Sequence, residues 1–140
     1  MSIENGRLPL VLPGRFKPWA IEVGHGKVLL RGFDGDPEGE ERPRVFDVLF
    51  QDVSRISLPA LRSGLRLTVA DPEVTRSEER RVGESWGKAR MFLLDPDRNS
   101  DYVVAGFVFW AEVLVGGGSP SPLLAEEPAE GSIRGAVRRL

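Results

Sequence analysis

The stretch that decides the fold class is Tyr102-Val-Val-Ala-Gly-Phe-Val-Phe-Trp-Ala-Glu-Val-Leu-Val115. Every odd-numbered residue in it is apolar, whereas the even-numbered positions are mixed. Successive side chains of a β-strand point to opposite faces, so this alternation predicts a strand with one buried face. A straight strand of this length would span about 45 Å, more than a domain of this size is wide. We therefore expect a bend or a break at Gly106.

The same alternation predicts which side chains form the core. On the odd-numbered face of this run we expect Phe107, Phe109 and Val113 to be buried. A second long alternating run should add Phe46 and Val48. These five side chains are the predicted centre of the core.

Other segments of the chain also have strand-like patterns, and polar or glycine-rich stretches separate them. A hairpin is predicted at residues 19–23 and 28–33, and a solvated loop follows at residues 34–43. Residues 71–87 form either a helix capped by Ser77 or a loop, and we favour the loop. Further strands are predicted at residues 44–58, with a change of phase near Gln51-Asp52, at 65–69 and at 88–94. The chain is thus predicted to be mainly β, an antiparallel barrel or sandwich of about six to eight strands.

The character of the sequence changes after Val115. Residues 116–122 (Gly-Gly-Gly-Ser-Pro-Ser-Pro) predict a linker between a domain at 1–115 and a tail at 123–140. Within the tail, Ile133, Ala136, Val137 and Leu140 have helical spacing, which predicts a short amphipathic C-terminal helix. Such a short helix is not stable alone in water, so we expect the tail to dock on a sheet face of this chain or of a second copy. Docking on a second copy would form a homodimer, and the tail could equally bind a different protein partner.

Length and composition limit the possible functions. The chain has 140 residues, a net charge of −2 and no cysteine. The balanced charge argues against a nucleic-acid partner, and the lack of cysteine excludes disulfides and thiolate metal sites. The first residues do not resemble a signal peptide, and no apolar run reaches the roughly 18 residues of a membrane span. We expect a cytoplasmic protein that binds no membrane.

Three charged residues interrupt predicted strands between large apolar neighbours: Arg31, Asp47 and Glu112. If they converge inside a barrel, then with Trp110 they form a candidate ligand-binding site, because burial and opposite charges tune pKa values. If they face outward, they are cross-strand charge pairs of small value, which we favour. Tryptophan side chains such as Trp110 are also common core residues.

No motif predicts a catalytic residue, a metal site or a cofactor. Residues 95–101 (Asp-Pro-Asp-Arg-Asn-Ser-Asp) place oxygen ligands at alternate positions, as a calcium loop does. However, the chain has Ser100 where such a loop needs glycine and Gly106 where it needs glutamate. His25, the only histidine, lies between two glycines in a predicted turn, where we expect it to be exposed.

Part of the chain resembles a known group of proteins. Val28-Leu-Leu-Arg-Gly32, Arg44-Val-Phe-Asp-Val-Leu-Phe-Gln-Asp-Val53 and Ile56-Ser-Leu-Pro59 are similar to segments of small bacterial β-rich proteins of unknown function. The resemblance covers the first half of the chain and implies no activity, cofactor or site.

Three classes of function therefore remain. A non-catalytic interaction or accessory protein fits best, because catalytic groups are scarce. A small-ligand-binding β-barrel is the alternative. An enzyme using Asp47 and Glu112 as a carboxylate pair is the least favoured. A cavity lined by Trp110, Glu112 and Asp47 would favour a ligand or an enzyme, whereas a filled interior would favour the interaction protein.

Overall fold

A computed structural model describes residues 3–36, 38–39 and 41–140, and in it the chain is mainly β, as predicted. Residues 1, 2, 37 and 40 lie outside the described residues, and with them part of the predicted loop at 34–43. The described residues form one α-helix, α1 (Pro72–Val82), and ten strands, and the helix follows the sixth strand. The strands are β1 (Ile3–Asn5), β2 (Leu10–Glu22), β3 (Lys27–Asp34), β4 (Arg44–Gln51), β5 (Arg55–Ser57), β6 (Arg62–Val69), β7 (Arg90–Leu93), β8 (Tyr102–Ala105), β9 (Phe107–Val113) and β10 (Ile133–Arg139).

The strands form one mixed sheet in the order β1-β10-β9-β4-β3-β2-β6-β7-β8-β5. Neighbouring strands are antiparallel, except that β1 runs parallel to β10. The predicted hairpin is confirmed as β2–β3. The prediction of six to eight strands is too low, and the sheet is not closed into a barrel, because β1 and β5 are both edge strands.

The sheet curls around its main core. Phe50 in β4 and Phe92 in β7 are four places apart in the strand order, which in a flat sheet would separate them by about 19 Å. Their ring centroids are 5.8 Å apart. The face that carries these two rings, here called the inner face, is filled by side chains from seven strands, including Phe16, Phe46 and Trp110. The predicted burial of Phe46 is confirmed.

Two further elements cover the opposite, outer face of the sheet. Helix α1 and Trp86 lie over Met91, Leu93 and Tyr102. Residues 116–128, here called the strap, place Leu123 over Val45 and Val113. The sheet is therefore buried on both faces over much of its area.

The run from Tyr102 to Val115 breaks at Gly106, as predicted, into β8 and β9. The backbone N–H of Gly106 donates to the carbonyl oxygens of Gln51 and Asp52, at the end of β4. The interruption reverses the alternation, because one residue out of register moves every later side chain to the other face. Phe107 is therefore 45% exposed and Phe109 only half-buried, so the prediction that both are buried is wrong.

Helix α1 replaces the loop favoured for residues 71–87. The Asp71 carboxylate accepts a hydrogen bond from the backbone N–H of Val74 at 2.9 Å, so Asp71 caps the helix, not Ser77. Pro72 occupies the first turn, and Gly83 ends the helix with a left-handed φ of 81°. Proline at the start and glycine at the end are typical helix signals. No helix in the described part of the chain is long and apolar enough to cross a membrane.

The C-terminal helix predicted in the tail is wrong, because residues 133–139 form strand β10. It pairs with β9 on one side and with β1 on the other. Helical spacing alone could not decide between the two structures, since so short a helix is marginal and Gly135 lowers its propensity further. The strand also satisfies the free backbone edge of β9. Val137 is buried and Ile133 half-buried within this chain.

Candidate functional site

Arg31 and Asp47 form a buried ion pair on the outer face of the sheet. They are directly opposite each other on β3 and β4. Arg31 Nε donates to Asp47 Oδ1 at 2.7 Å, and Nη2 donates to Oδ2 at 2.8 Å. Both side chains are 0% exposed. The two residues form a cross-strand pair on the outer face, as the outward interpretation favoured from the sequence predicts, but the pair is buried and not exposed to water, and the opposite charges compensate each other inside the protein.

The strap completes the coordination of Arg31. Its Nη1 donates to the carbonyl oxygens of Gly117 at 3.0 Å and of Ser119 at 2.5 Å. The Trp19 ring covers the guanidinium from another side, with its centroid 5.2 Å from Cζ. All three nitrogens of Arg31 thus donate to protein acceptors. These hydrogen bonds hold residues 116–122, which were predicted to form a linker, against the sheet. They also occupy every side-chain nitrogen of Arg31.

Trp110 and Glu112 lie on the inner face, away from the ion pair. In the pairing of β4 with β9, Glu112 is opposite Phe46, and the next residue, Asp47, is opposite Ala111. Adjacent positions of a strand point to opposite faces. The structure therefore separates Asp47 from Glu112, and the four candidate residues do not converge on one site.

Each inner-face candidate has its own structural partners. Trp110 belongs to the main core, where its ring lies so close to Gly6 that an added Cβ would be 2.3 Å away. The Glu112 carboxylate accepts from Arg44 Nη2 at 2.7 Å and lies 3.5 Å from Arg134 Nε. The hydrogen bond from Arg44 to Glu112, together with the negative charge of Glu112, raises the pKa of Arg44. Glu112 thus forms charge pairs with two exposed arginines, but its own side chain is only 12% exposed and lies on the inner face, so the outward orientation favoured from the sequence is wrong for it.

The Asp95–Asp101 loop uses its carboxylates for arginine binding. Arg62 Nη2 donates to Asp95 at 2.9 Å and Nη1 to Asp101 at 2.8 Å. The backbone N–H of Asp97 donates to the other oxygen of Asp95 at 2.9 Å. That backbone hydrogen bond, and then Arg62, lower the pKa of Asp95. Among the described residues, no group of three or more aspartate, glutamate or histidine side chains is arranged to hold a metal ion.

Two surface features were missed by the sequence analysis. The first is an open polar groove of about 520 Å³ between α1 and the loop before β8. Glu78 and Arg81 of α1 line one wall, Ser57 and Asn99 line the other, and Met91 lines the space between them. The hydrogen bond and charge of Glu78 raise the pKa of Arg81. The helix had to be recognised before this groove could be predicted.

The second feature is an apolar surface at one end of the sheet, here called the end patch, formed by Ile21, Val23, Val53 and Ile56. They line one shallow groove of about 220 Å³. Val23 is 88% exposed, Ile21 51% and Ile56 40%. Val23 lies in the 3-10 turn that joins β2 to β3, and an apolar residue in a hairpin turn is the one sequence signal that points to this surface.

Comparison with known proteins identifies no relative of this chain: no family model, no curated protein and no solved structure matches it significantly.

Proposed function

We propose that this chain is a non-catalytic interaction protein that binds a partner protein through the end patch. The observation that carries the proposal is the grouping of Ile21, Val23 and Ile56 around one groove, each at least 40% exposed. Scattered apolar residues are normal on a surface, whereas contiguous ones mark interaction sites. Burying Val23, which is 88% exposed, against a partner would contribute about 1.5 to 3 kcal/mol, and burying the exposed half of Ile21 about half as much, less what is lost on ordering.

The arrangement of the candidate polar residues supports this function over catalysis. Arg31 and Asp47 are neutralised by each other and covered by the strap, and Glu112 is held by arginines on the opposite face. A carboxylate pair acting on one substrate would need both groups within hydrogen-bond reach of that substrate, whereas Asp47 and Glu112 lie on opposite faces of the sheet. The inner face is also filled by packed side chains around Trp110. A filled interior favours an interaction protein over a ligand-binding barrel.

The end patch is a better partner surface than the tail. Val137 and Ile133 of the tail already pack within this chain. The homodimer expected from the sequence would therefore need another surface, and the end patch is free to supply one. We place the partner there.

Site-specific photo-cross-linking tests the proposal. A benzophenone amino acid at position 23 should cross-link one protein in cells that produce the chain natively. The matched control is position 11, because Val11 is also exposed, at 66%, but lies on β2 away from the patch. A partner captured from position 23 and not from position 11 is expected. Capture of the same protein equally from both positions, or from position 11 alone, would contradict the assignment.

The polar groove beside α1 favours a second candidate function, the binding of a small polar molecule. Its volume of about 520 Å³ is within the usual range for small-molecule sites. Ser57, Glu78, Arg81 and Asn99 would supply hydrogen bonds and charge. Thermal-shift screening of polar metabolites tests this, because a ligand of the folded state raises the melting temperature. The effect should disappear in Asn99→Leu, and an unchanged shift would exclude this groove.

A further inference from the structure

Strand β5 offers a free backbone edge beside the end patch. It is the last strand in the sheet order, and of the other strands it pairs only with β8. The pairs join Arg55 to Val104, Ile56 to Val103 and Ser57 to Tyr102. The other edge of β5 has no strand beside it in the described sheet. An unpaired edge of this kind is a template for a strand from another chain.

A second free edge faces the same groove. The pairing of β2 with β6 ends at Phe16, so the following part of β2, up to Glu22, has a strand only on its β3 side. Residues of this part, Ile21 and Glu22, line the groove together with Arg55 and Ile56 of β5. The apolar groove thus lies between two strand edges that have no partner strand in the described sheet.

The two edges are not equally suited to accept a strand. The β2 edge contains Pro18, which has no N–H to donate, and a bulge between Pro18 and Ala20. Both features protect edge strands from pairing. Arg55, Ile56 and Ser57 of β5 contain neither proline nor a bulge. The backbone template is therefore β5, and β2 contributes side chains.

We propose that the partner binds as an extended segment that adds one strand to the free edge of β5. Ile56 is opposite the core residue Val103, so its side chain lies on the inner face, together with the groove residues Val28 and Val53. Alternate side chains of an added strand would point to this face and cover Ile56, Ile21 and Val23. The partner segment therefore has apolar residues at every second position and polar residues between them.

This inference rests on the proposed function and deepens it, since it states how the partner of the end patch binds. The backbone hydrogen bonds would give affinity, and the alternate apolar side chains would give specificity. A folded partner that docked only its side chains would use the same patch but leave the β5 backbone unpaired. The two modes differ in backbone protection, which can be measured.

The experiment uses the full chain and selected peptides. Random ten-residue peptides displayed on phage are selected on the wild-type chain and counter-selected on Ile56→Asp. Val23→Asp is a second variant, used in case Ile56→Asp fails to fold. Position 23 is 88% exposed, so a charge there should not disturb folding. Selected peptides should bind wild type and lose at least tenfold in affinity on both variants. Val11→Asp, altered at an exposed position outside the patch, should bind them as wild type does.

Hydrogen exchange then tests strand addition directly. With peptide bound, amide exchange should slow at least tenfold at those of residues 55–57 whose N–H groups point to the free edge, because alternate N–H groups of a strand point to opposite edges. N-methylation of the peptide should weaken binding at least tenfold at alternate positions and little at the positions between them. Unchanged exchange at 55–57, or tolerance of every N-methyl group, overturns strand addition while leaving the end patch as the partner surface.

Three other outcomes also overturn strand addition. They are recovery of no peptide, recovery of peptides insensitive to both patch variants, and selection of peptides that bind as helices. Light scattering of the free chain adds a final check. A dimer that is lost in Val23→Asp would mean that a second copy of this chain covers the patch instead of a partner strand.

Discussion

Breaking the buried ion pair should destabilise the protein strongly. Asp47→Ala removes two hydrogen bonds to a charged group, of 2.7 and 2.8 Å, from an arginine that is 0% exposed. Each such bond contributes about 1.5 to 3 kcal/mol. Removing one partner of a buried pair leaves an uncompensated charge and costs about 3 to 5 kcal/mol. We expect a loss in that range, a large part of the stability of a domain this size.

The double variant Arg31→Met with Asp47→Leu separates the ion pair from the strap contacts. Replacing a buried pair by apolar side chains of similar volume is often neutral. Here, however, the carbonyl oxygens of Gly117 and Ser119 lose their donor, at a cost of about 1 to 3 kcal/mol for each one left without water. Each single variant, Arg31→Met or Asp47→Leu, also leaves one buried charge uncompensated, so the double variant should cost clearly less than the sum of these two.

Urea unfolding followed by tryptophan fluorescence measures these differences, because the Trp19 ring contacts Arg31. Amide exchange of residues 116–121 should also become faster in Arg31→Met, since the strap loses its hydrogen bonds to Arg31 Nη1. A cost below about 1 kcal/mol for Asp47→Ala would refute the stabilising role of the buried ion pair, and so would costs of Arg31→Met and Asp47→Leu that simply add in the double variant. Such a result would mean that water reaches the pair and that it is available as a binding site.

Two further predictions follow from the packing and from the pKa of Asp95. Trp110→Ala should cost about 3 to 5 kcal/mol in urea unfolding, whereas Phe107→Ala, at a 45% exposed side chain, should cost about 1 kcal/mol or less; equal costs would mean that the face assignment of β9 is wrong. Because the pKa of Asp95 is lowered in the folded state, its stabilisation is present above the unfolded pKa of about 3.9 and is lost as pH falls through the folded value. The stability difference between wild type and Asp95→Asn should thus be constant above about pH 5 and shrink towards pH 3, and a difference that grows on acidification would contradict this sign.

Local alternation predicted the strands well because it depends only on neighbouring residues. The hairpin β2–β3 and the break at Gly106 both follow from pattern and glycine position. Which face is buried after a break depends on the partner strands. Before the break, β8 pairs with β7 and β5, and after it, β9 pairs with β4 and β10. This change of partner strands reversed the faces expected for Phe107 and Trp110.

The candidate site shows a similar limit. The sequence singled out Arg31 and Asp47 as charges among apolar neighbours, which is a local observation. Their burial depends on the strap, which lies more than eighty residues along the chain from Arg31. The end patch likewise joins Ile21 and Val23 to Ile56 through the curl of the sheet. Contacts between distant segments cannot be derived from alternation in either one.

The central claim is that the end patch binds a partner protein. Isothermal titration calorimetry with the partner identified by photo-cross-linking tests it most directly. The purified partner is titrated into wild type, Val23→Asp and Val11→Asp. Both substituted positions are exposed, but only position 23 lies in the end patch. The account predicts that Val23→Asp weakens binding at least tenfold, about 1.4 kcal/mol, while Val11→Asp binds as wild type does. Equal affinity of all three proteins, or a larger loss in Val11→Asp, would contradict a partner site at the end patch.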